Sequence, residues 1–388
     1  MEYLFDLDKP YFATWLQLYD IDTYPRKEAP FSLFAMPVEK SSANPIYYAA
    51  LCGFEDLVEH LVVKYQEHVN ISGGRYVTTL FAALAGRHFR TAKLLRRNGA
   101  RVDVRGNDEI TPLDSAAFHG DLEMVQVLLD YKVDVNVRDA DSFTPIHTVS
   151  IGSRSPDAHS NIPQLWPDVA RLLLEHGADV NARMNNGQTS LHLAGTDEVV
   201  RVLLAHGANI GAVDNQGRTP LHAAAEGDVG GYVGGYVGVV CVMLEHGANV
   251  GAVDKEGRTP LHLAWTVDVV HVLLGHGANI GAINNEGGTL LHKAAKFGMG
   301  ELIRMLLEHG ANTGAINKEG RTPLHLAVYY GDSPAGYERV EVVRMLLEHG
   351  ANVGAEDNEG RTACQIALAK GDEEVMELLS EHGAEDVL

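Results

Sequence analysis

One short segment recurs along this 388-residue chain and constrains its fold more than any other feature. Four of its copies read GRTPLHAAAEG, GRTPLHLAWTV, GGTLLHKAAKF and GRTPLHLAVYY, with segments similar to LLEHGAN between them. The threonine of the segment occurs at Thr78, Thr111, Thr144, Thr189, Thr219, Thr259, Thr289, Thr322 and Thr362. With a degenerate first copy at Asn44, the pattern predicts about ten copies of one unit, which bury their apolar faces by stacking.

Each unit is predicted to form a helix, a turn and a second helix. The proline that follows the threonine in several units suits the first turn of a helix, where its missing N–H needs no acceptor. Apolar residues at helical spacing, such as Val343 and Leu346, indicate the second helix. It ends at a pair such as His349 and Gly350, whose glycine can adopt the left-handed conformation that closes a helix. Residues 351–361 carry Gly, Asn and Asp and predict a projecting hairpin or loop.

These units resemble the ankyrin repeat, whose period is about 33 residues and whose signature is T-P-L-H-x-A. The signature is intact at Thr219–Ala224, Thr259–Ala264 and Thr322–Ala327. The resemblance implies an all-α repeat solenoid of helix-turn-helix units with projecting β-hairpins or loops. It also implies a protein without catalytic activity that binds other proteins through its concave face and hairpin tips.

The two ends depart from the repeat. Residues 1–43 precede the array and hold large apolar side chains such as Tyr3, Phe5 and Trp15, so we interpret them as an N-terminal cap. Residues 44–388 form the array of about ten units. Its last unit, RTACQIALAKGDEEVMELLSEHG, loses Pro, Leu and His of the signature and gains charge, which is typical of a C-terminal cap.

The period is irregular in one part of the unit only. Successive threonines are 33, 33, 45, 30, 40, 30, 33 and 40 residues apart, yet the residue before the closing glycine always precedes the next threonine by 13 residues. All variation therefore lies between the two helices. Because long and short units alternate from Thr144 to Thr259, we expect the long loops to lean over their shortened neighbours. Independent surface insertions are the alternative, since a longer loop costs little.

Gly227–Val240, which reads GDVGGYVGGYVGVV, raises the question of a phosphate-binding loop. The GxxxxGK[ST] loop needs a lysine after its second glycine, and the chain contains no Gly-Lys pair. The stretch occupies the same position as YGDSPAGYERV in the unit that begins at Thr322. We therefore interpret it as an enlarged loop between two helices.

The 19 histidines invite a metal-site interpretation, but 13 of them belong to the repeat, six in the signature and seven before a closing glycine. Packed helices are about 8–10 Å apart whereas zinc holds nitrogen at about 2 Å, so equivalent histidines of neighbouring units are not expected to share an ion. The ankyrin resemblance implies instead that the signature histidine supports the hairpin by hydrogen bonding. HExxH and GxSxG motifs are absent. We expect no metal, no cofactor and no enzymatic activity.

The charge balance argues against nucleic acid as a partner. The chain has 31 Lys and Arg against 52 Asp and Glu, a formal charge of −21, which repels a phosphate backbone. Its three cysteines form no CxxC pair, which fits a reducing compartment. No apolar run reaches the roughly 18 residues of a membrane helix, and the first residues lack the pattern of a signal peptide. We expect a cytoplasmic monomer that does not contact membranes.

Two sets of residues are candidate partner-binding sites. The first lies at the hairpin tips and comprises Asn215, Gln216, Arg218, Lys255, Glu256, Arg258, Asn285, Glu286, Lys318, Glu319 and Arg321. Glu and Arg of these tips can also pair with one another. The second is a basic run in an acidic chain and comprises Arg90, Lys93, Arg96 and Arg97. It is either a solvated helix face or a docking surface for an acidic partner.

The segments DKPYFATWLQLYDIDTYP and NPIYYAALCGFEDLVEHL resemble the entry into the ankyrin tail of fungal NACHT-type signalling ATPases. In that family the tail is the ligand-sensing arm, although this sequence contains no ATPase segment. The resulting hypothesis is a scaffold for protein–protein interaction that serves as the sensing arm of a signalling system. The alternative is a regulatory or structural module that docks on another domain or protein of the same system.

Overall fold

A computed structural model describes residues 45–64, 69–70, 78–103, 105, 110–154, 165–227, 237–330 and 339–384. Within these ranges it contains ten pairs of α-helices, one pair for each predicted repeat. In every pair a shorter first helix is followed by a longer second helix. The predicted all-α repeat solenoid is confirmed.

The helices of these residues are named α1 to α20 in chain order. Repeats 1 to 4 contain α1 Pro45–Leu51 and α2 Glu55–Lys64, α3 Thr79–Ala85 and α4 Phe89–Arg97, α5 Pro112–Phe118 and α6 Leu122–Asp130, and α7 Pro145–Gly152 and α8 Trp166–Glu175. Repeats 5 to 7 contain α9 Ser190–Leu193 and α10 Asp197–Ala205, α11 Pro220–Glu226 and α12 Val237–Glu245, and α13 Pro260–Leu263 and α14 Val267–Gly275. Repeats 8 to 10 contain α15 Leu290–Lys296 and α16 Gly300–Glu308, α17 Pro323–Tyr330 and α18 Arg339–Glu348, and α19 Ala363–Lys370 and α20 Glu373–Glu381.

These repeats fall into two compact units. The first unit holds repeats 1 to 4, within residues 45–185 and 205–208, and the second holds repeats 5 to 10, within residues 186–204 and 209–384. Inside each unit, first helices pack on first helices and second helices on second helices, as α15 on α17 and α16 on α18. Aliphatic side chains of both rows, such as Leu291 and Ile303, are buried between them and form the core.

The threonine of the signature begins each first helix. At Thr219 the backbone N–H donates to Nδ1 of His222 at 3.1 Å, which satisfies a donor that the helix itself leaves open. Because Nδ1 accepts, Nε2 carries the proton and donates to the carbonyl of Arg258 in the next hairpin at 3.0 Å. Equivalent bonds are made by His147, His192, His262, His292 and His325. The implied support of the hairpin by the signature histidine is therefore confirmed.

Left-handed glycines close the second helices, as predicted. Their φ angles lie between 78° and 89° at Gly177, Gly207, Gly247, Gly277, Gly310 and Gly350. The histidine before the glycine completes the end of the helix: Nδ1 of His246 donates to the carbonyl of Val242 at 2.8 Å. The proton therefore sits on Nδ1 here, opposite to the signature histidines.

The irregular period comes from the first helix and the loop after it. The helices α9 and α13 have four residues each, whereas the other first helices of the described residues have seven or eight. The long loops include residues 155–164, 228–236 and 331–338, which lie outside the described residues. The expectation that these loops lean over shortened neighbours therefore falls outside the described residues, as does the N-terminal cap expected for residues 1–43.

The interpretation of Gly227–Val240 as one loop is wrong at its end. Val237 to Val240 form the first turn of α12. The physical reason is burial, because Val239 and Val240 continue the apolar face of that helix into the core. Gly227 closes α11 with a φ of 67°.

Candidate interaction groove

The linking residues of the second unit form tight hairpins that join into a row. In one of them the N–H of Asp214 donates to the carbonyl of Arg218 at 2.9 Å. The next hairpin is joined to it by the N–H of Lys255, which donates to the carbonyl of Gln216 at 2.9 Å. Equivalent bonds join the hairpins that follow, so each hairpin is held by its neighbour.

Four of the predicted tip residues, Asn215, Lys255, Asn285 and Lys318, take part in this joining. Nζ of Lys255 donates to the carbonyl of Asn215 at 2.7 Å, and Nδ2 of Asn285 donates to the carbonyl of Lys255 at 2.9 Å. Nδ2 of Asn358 likewise donates to the carbonyl of Lys318 at 2.7 Å. The tips are thus ordered before any partner binds, which reduces the entropy lost on binding.

Arginines brace these hairpins from the side. Arg218 and Arg258 each bind the buried aspartate four residues earlier, with N–O distances of 2.9 and 2.8 Å. Burial alone would raise the pKa of Asp357, but hydrogen bonds from Arg361 and the backbone lower this pKa to about 2. The predicted pairing between tip residues is also present, since Arg321 binds Glu319 at 2.7 Å.

The hairpin of residues 284–288 lacks the arginine and its aspartate. Asn284 and Gly288 occupy their positions. Gly288 is not among the glycines with positive φ, so the backbone does not require a glycine here. The helix beside it, α13, is one turn shorter than most first helices. Together these two departures open a groove of about 540 Å³ between the hairpins and the first helices of repeats 6 to 9.

An aromatic rim borders the groove on the side of the first helices. The rings of Trp265 and Phe297 are 5.3 Å apart, and Tyr330 follows in the next repeat. Phe297 and Tyr330 are 40% and 41% exposed, far more than the core aromatics. Nζ of Lys296 lies 4.8 Å from the centre of the Tyr330 ring. Exposed aromatics beside a cation are typical of residues that contribute most to protein binding.

Lys293 replaces the missing turn of α13. Its Nζ donates to the carbonyls of His262, Leu263 and Ala264 at 3.0, 3.0 and 3.1 Å, where the shortened helix leaves carbonyls without partners. It also lies 3.8 Å from the centre of the Trp265 ring. Burial lowers the pKa of Lys293 to about 7. This lysine therefore holds the floor of the groove rather than reaching for a ligand.

The hairpin wall of the groove is polar. Oδ1 of Asn284 accepts from the N–H groups of Glu286 and Gly288, and Oδ1 of Asn317 accepts in the same way from its own hairpin. The amide NH₂ of each asparagine is then the group that can meet a ligand. Glu286, which has no arginine in its own hairpin, makes no ion pair within the described ranges. The groove thus offers a cation at Lys296 on one wall and an anion at Glu286 on the other.

The groove contains some of the predicted tip residues and adds others. Arg258, Glu286 and Glu319 line it, whereas Asn215, Gln216, Lys255 and Lys318 do not. The aromatic rim and Lys293 were not predicted. The sequence signal for the rim is that repeats 7 to 9 carry an aromatic residue six to eight positions after the signature threonine.

The basic run lies in the first unit, on the exposed face of α4. Arg90, Lys93, Arg96 and Arg97 are exposed, while Leu95 and two small residues of the same helix are buried. Arg90, Lys93 and Arg97 make no ion pair among the residues that the structure describes. On either side of this run, Arg87 binds Asp121 at 2.8 Å and Arg101 binds Asp103 at 3.2 Å. Four neighbouring positions thus form a basic patch.

Two other kinds of site are absent from the described part of the chain. No group of three or more His, Cys, Asp or Glu side chains there could hold a metal ion. No helix there combines the length and the apolar character that a bilayer crossing requires.

Comparison with known proteins adds a family match and one relative. A family model described as ankyrin repeats (3 copies) matches residues 46–139, 164–254, 195–282, 266–357 and 317–387, and a model of the single ankyrin repeat matches residues 141–185. The azaphilone pigments biosynthesis cluster protein L of Monascus ruber is 30% identical over 108 residues. That alignment spans 26% of this chain and only 22% of the relative.

Proposed function

Because the chain belongs to the ankyrin-repeat family, which supplies protein–protein interaction modules, we propose that it binds a protein partner in the groove of the second unit without catalysing a reaction. The observation that carries this proposal is the half-exposed aromatic rim, with Phe297 and Tyr330, beside Lys296 and Glu286, which make no ion pair in the described part of the chain. When a partner covers an aromatic side chain that was exposed to water, the burial of its apolar surface stabilises the complex.

The groove favours an extended segment of the partner. Its two walls carry opposite charges at Lys296 and Glu286, which would fix the direction of such a segment. The amide groups of Asn284 and Asn317 can donate to carbonyls of its backbone, and the rim can cover one large apolar side chain.

The test uses Gly288→Arg, which restores the arginine that other hairpins carry. The hairpin of Arg321 shows that an arginine is compatible with an asparagine four residues earlier, because the N–H of Arg321 donates to Oδ1 of Asn317. We expect Gly288→Arg to fill the groove, keep the melting temperature and remove the partner. The measurement is affinity capture from an extract of the source cells with the full chain as bait.

A matched bait carries neutral residues in place of Arg90, Lys93, Arg96 and Arg97 in the first unit. Partners that bind the unchanged chain and the patch variant, but not Gly288→Arg, support the groove. If Gly288→Arg still captures the same partners as the unchanged chain, the proposal that they bind in the groove is contradicted.

The patch on α4 is the second candidate site, for docking on an acidic surface of another domain or protein of the same system. It is favoured by the three cations Arg90, Lys93 and Arg97, which lack an acidic partner in the described residues. Loss of a partner from the patch variant alone, with binding that weakens as salt rises, would assign function to this patch.

The role of a ligand-sensing arm in a signalling system is the more specific form of the proposal. It rests only on the two N-terminal segments that resemble the entry into the ankyrin tail of NACHT-type ATPases. The relative reported above does not bear on it, since that relative is a protein of a pigment biosynthesis cluster. Capture of an exogenous protein, without binding to a separately expressed ATPase domain, would favour the sensing arm. Cytoplasmic location and a monomeric state belong to the same proposal.

A further inference from the structure

A second apolar surface of the second unit lies outside the groove. Val213, Val253, Ile283 and Ile316 occupy the same position in four successive hairpins and are 46%, 61%, 62% and 63% exposed. They are the most exposed large apolar residues of that unit in its described part, since the others, at the groove rim and at Leu368, reach at most 45%. We call these four residues the exposed stripe.

The exposed stripe faces away from the groove. Exposure alternates along the hairpin arm, with Gly211 and Val213 exposed and Ala212 and Asp214 buried, as in an extended chain. In the hairpin that lines the groove, Asn284 points to the groove and Ile283 is its neighbour. Neighbouring residues of an extended chain point to opposite faces, so the stripe is a separate surface.

The stripe is an accessible ridge along the row. Glycines stand two residues before each member, and a Cβ at Gly211 or Gly251 would approach only the asparagine side chain two residues earlier. The flank of the ridge is therefore flat. At the other flank, exposed lysines stand two residues after Val253 and Ile316, at Lys255 and Lys318.

Contacts on this face must come from side chains. A partner strand would need free N–H and C=O groups at the edge of a hairpin. Those groups are used between hairpins, as in the bonds from Asn285 N–H to the carbonyl of Glu256 and from Lys318 N–H to the carbonyl of Glu286. A helix, in contrast, packs on such a face through one stripe of side chains.

We propose that the exposed stripe binds an amphipathic helix of a partner protein, with an apolar residue at every seventh position and acidic residues on the flank that meets Lys255 and Lys318. Each hairpin has two extended arms, so successive stripe residues are spaced by about twice 4.8 Å, or about 9.6 Å. Seven residues of an α-helix rise by about 10.5 Å, so successive apolar residues of such a helix meet successive hairpins. The exposed lysines select acidic side chains on the partner.

A second copy of this chain fits the stripe less well. Two copies would each bring a formal charge of −21 and would place the same lysines against each other. A helix of another protein with acidic flanks avoids the second conflict. The stripe therefore favours a partner over self-association.

The test uses a labelled helical peptide of about 28 residues, or four heptads, with leucine at every seventh position, alanine between and glutamate on the flanks. Its binding to the full chain is measured by fluorescence anisotropy. We expect saturable binding that the double variant Val253→Ser, Ile283→Ser weakens by at least about tenfold, because two branched side chains lose their burial. Both positions are exposed, so the melting temperature should not change.

Two controls separate this surface from the groove. Phe297→Ala in the groove should leave peptide binding unchanged, and a peptide with lysine in place of glutamate should bind at least about tenfold more weakly. Absent binding of the glutamate peptide, equal binding of the two peptides, or equal binding to the double variant would each overturn the proposal. Analytical ultracentrifugation of the unchanged chain adds one more outcome: a dimer that the double variant converts to a monomer would assign the stripe to self-association instead.

Discussion

In the third repeat, Asp114 occupies the position that the signature gives to histidine. Its carboxylate is buried. Its Oδ2 accepts from the N–H and the hydroxyl of Thr111 at 3.0 and 2.7 Å, as Nδ1 of a signature histidine would. Oδ1 is buried and has no hydrogen-bond partner among the described residues. Burial raises the pKa of Asp114 to about 6, which means that the ionised form costs free energy in the folded state.

We predict that Asp114→His stabilises the chain by about 1–3 kcal/mol at pH 7, because it removes the buried charge and lets Nε2 reach the next hairpin. The folded carboxyl binds its proton more tightly than the unfolded one, so the penalty is present above about pH 6 and disappears as the pH falls toward 4. Urea unfolding at pH 7 and at pH 5 measures the change.

The matched control is Asp114→Asn, which removes the charge but cannot reach the next hairpin. It should stabilise less than Asp114→His at pH 7 and lose about half of its advantage at pH 5, midway between the folded and unfolded pKa values. A free energy of unfolding that either substitution leaves unchanged at pH 7 would contradict the assignment of a charge penalty.

The most predictable residues were those whose role depends only on their own type and their position in the repeat. The left-handed closing glycine at Gly350 and the hydrogen-bonded signature histidine at His222 follow from local rules and were confirmed. The role of Lys293 was not predictable, because a lysine in a helix reads as solvent-exposed. It becomes a cap only because α13, in the previous repeat, ends one turn early.

At the scale of elements, lysines of the second unit match the length of the helix that they cap. Lys293 stands four residues after its signature threonine and caps the four-residue helix α13. Lys370 stands eight residues after its threonine and donates to the carbonyls of Val328 and Tyr329 at the end of the eight-residue helix α17. The lysine has moved by about one helical turn together with the helix end. At both ends the lysine N–H groups donate to carbonyls that the helix leaves without partners.

The hairpins give the sharpest prediction at this scale. Gly320 has a φ of 73°, and a Cβ there would lie 2.7 Å from the backbone nitrogen of Asn358 in the next hairpin. Gly360 has a φ of 75° but would meet nothing within 4 Å. We expect Gly360→Ala to cost about 1 kcal/mol for the backbone conformation alone and Gly320→Ala to cost about 2–4 kcal/mol, because the hairpins must also separate. Urea unfolding of both variants gives the comparison.

Equal losses for the two variants would show that the close approach of the hairpins contributes nothing. A larger loss for Gly360→Ala would reverse the argument. Gly320→Ala should in addition weaken the bond between Asn358 N–H and the carbonyl of Glu319, visible as faster amide exchange at Asn358.

The groove could not be predicted from elements taken singly. Gly288 lacks a side chain and α13 lacks one helical turn, so each leaves space that other repeats fill. In the sequence, each of these departures is only a weaker match to the repeat pattern. Their effect appears when the hairpin and the first helix lie side by side. The exposed stripe has the same origin, since a single Val253 or Ile283 in a loop attracts no attention until successive hairpins align them.

At the scale of the whole molecule, the signature histidines predict sensitivity to acid. Burial lowers the pKa of His222, His262, His292 and His325, and each accepts a backbone N–H on Nδ1 only in the neutral form. The unfolded chain therefore binds more protons below about pH 6.5, and the free energy of unfolding falls as the pH drops through this range. We expect a lower urea midpoint at pH 5.5 than at pH 7.5.

The measurement is made in the Asp114→Asn background, because Asp114 acts with the opposite sign. Gln365 provides the control, since its Oε1 already accepts from the N–H of Thr362 at 3.0 Å in place of a histidine. Replacement of the four histidines by glutamine should flatten the dependence on pH between 7.5 and 5.5. A midpoint that stays constant in the parent, or that falls equally in the glutamine variant, would rule out the histidines as its source.

The hydrogen bond from a signature histidine to the next repeat ends on a backbone carbonyl. The acceptor is present at Gly288 as well as at Arg258 and Arg321, so it does not depend on a particular side chain. A gene duplication that inserts one whole repeat therefore gives every histidine an acceptor at once, and a deletion of one repeat leaves none without. The number of repeats can therefore change in evolution without compensating mutations. Such changes lengthen or shorten the row of hairpins, while the exposed side chains of each repeat can change independently.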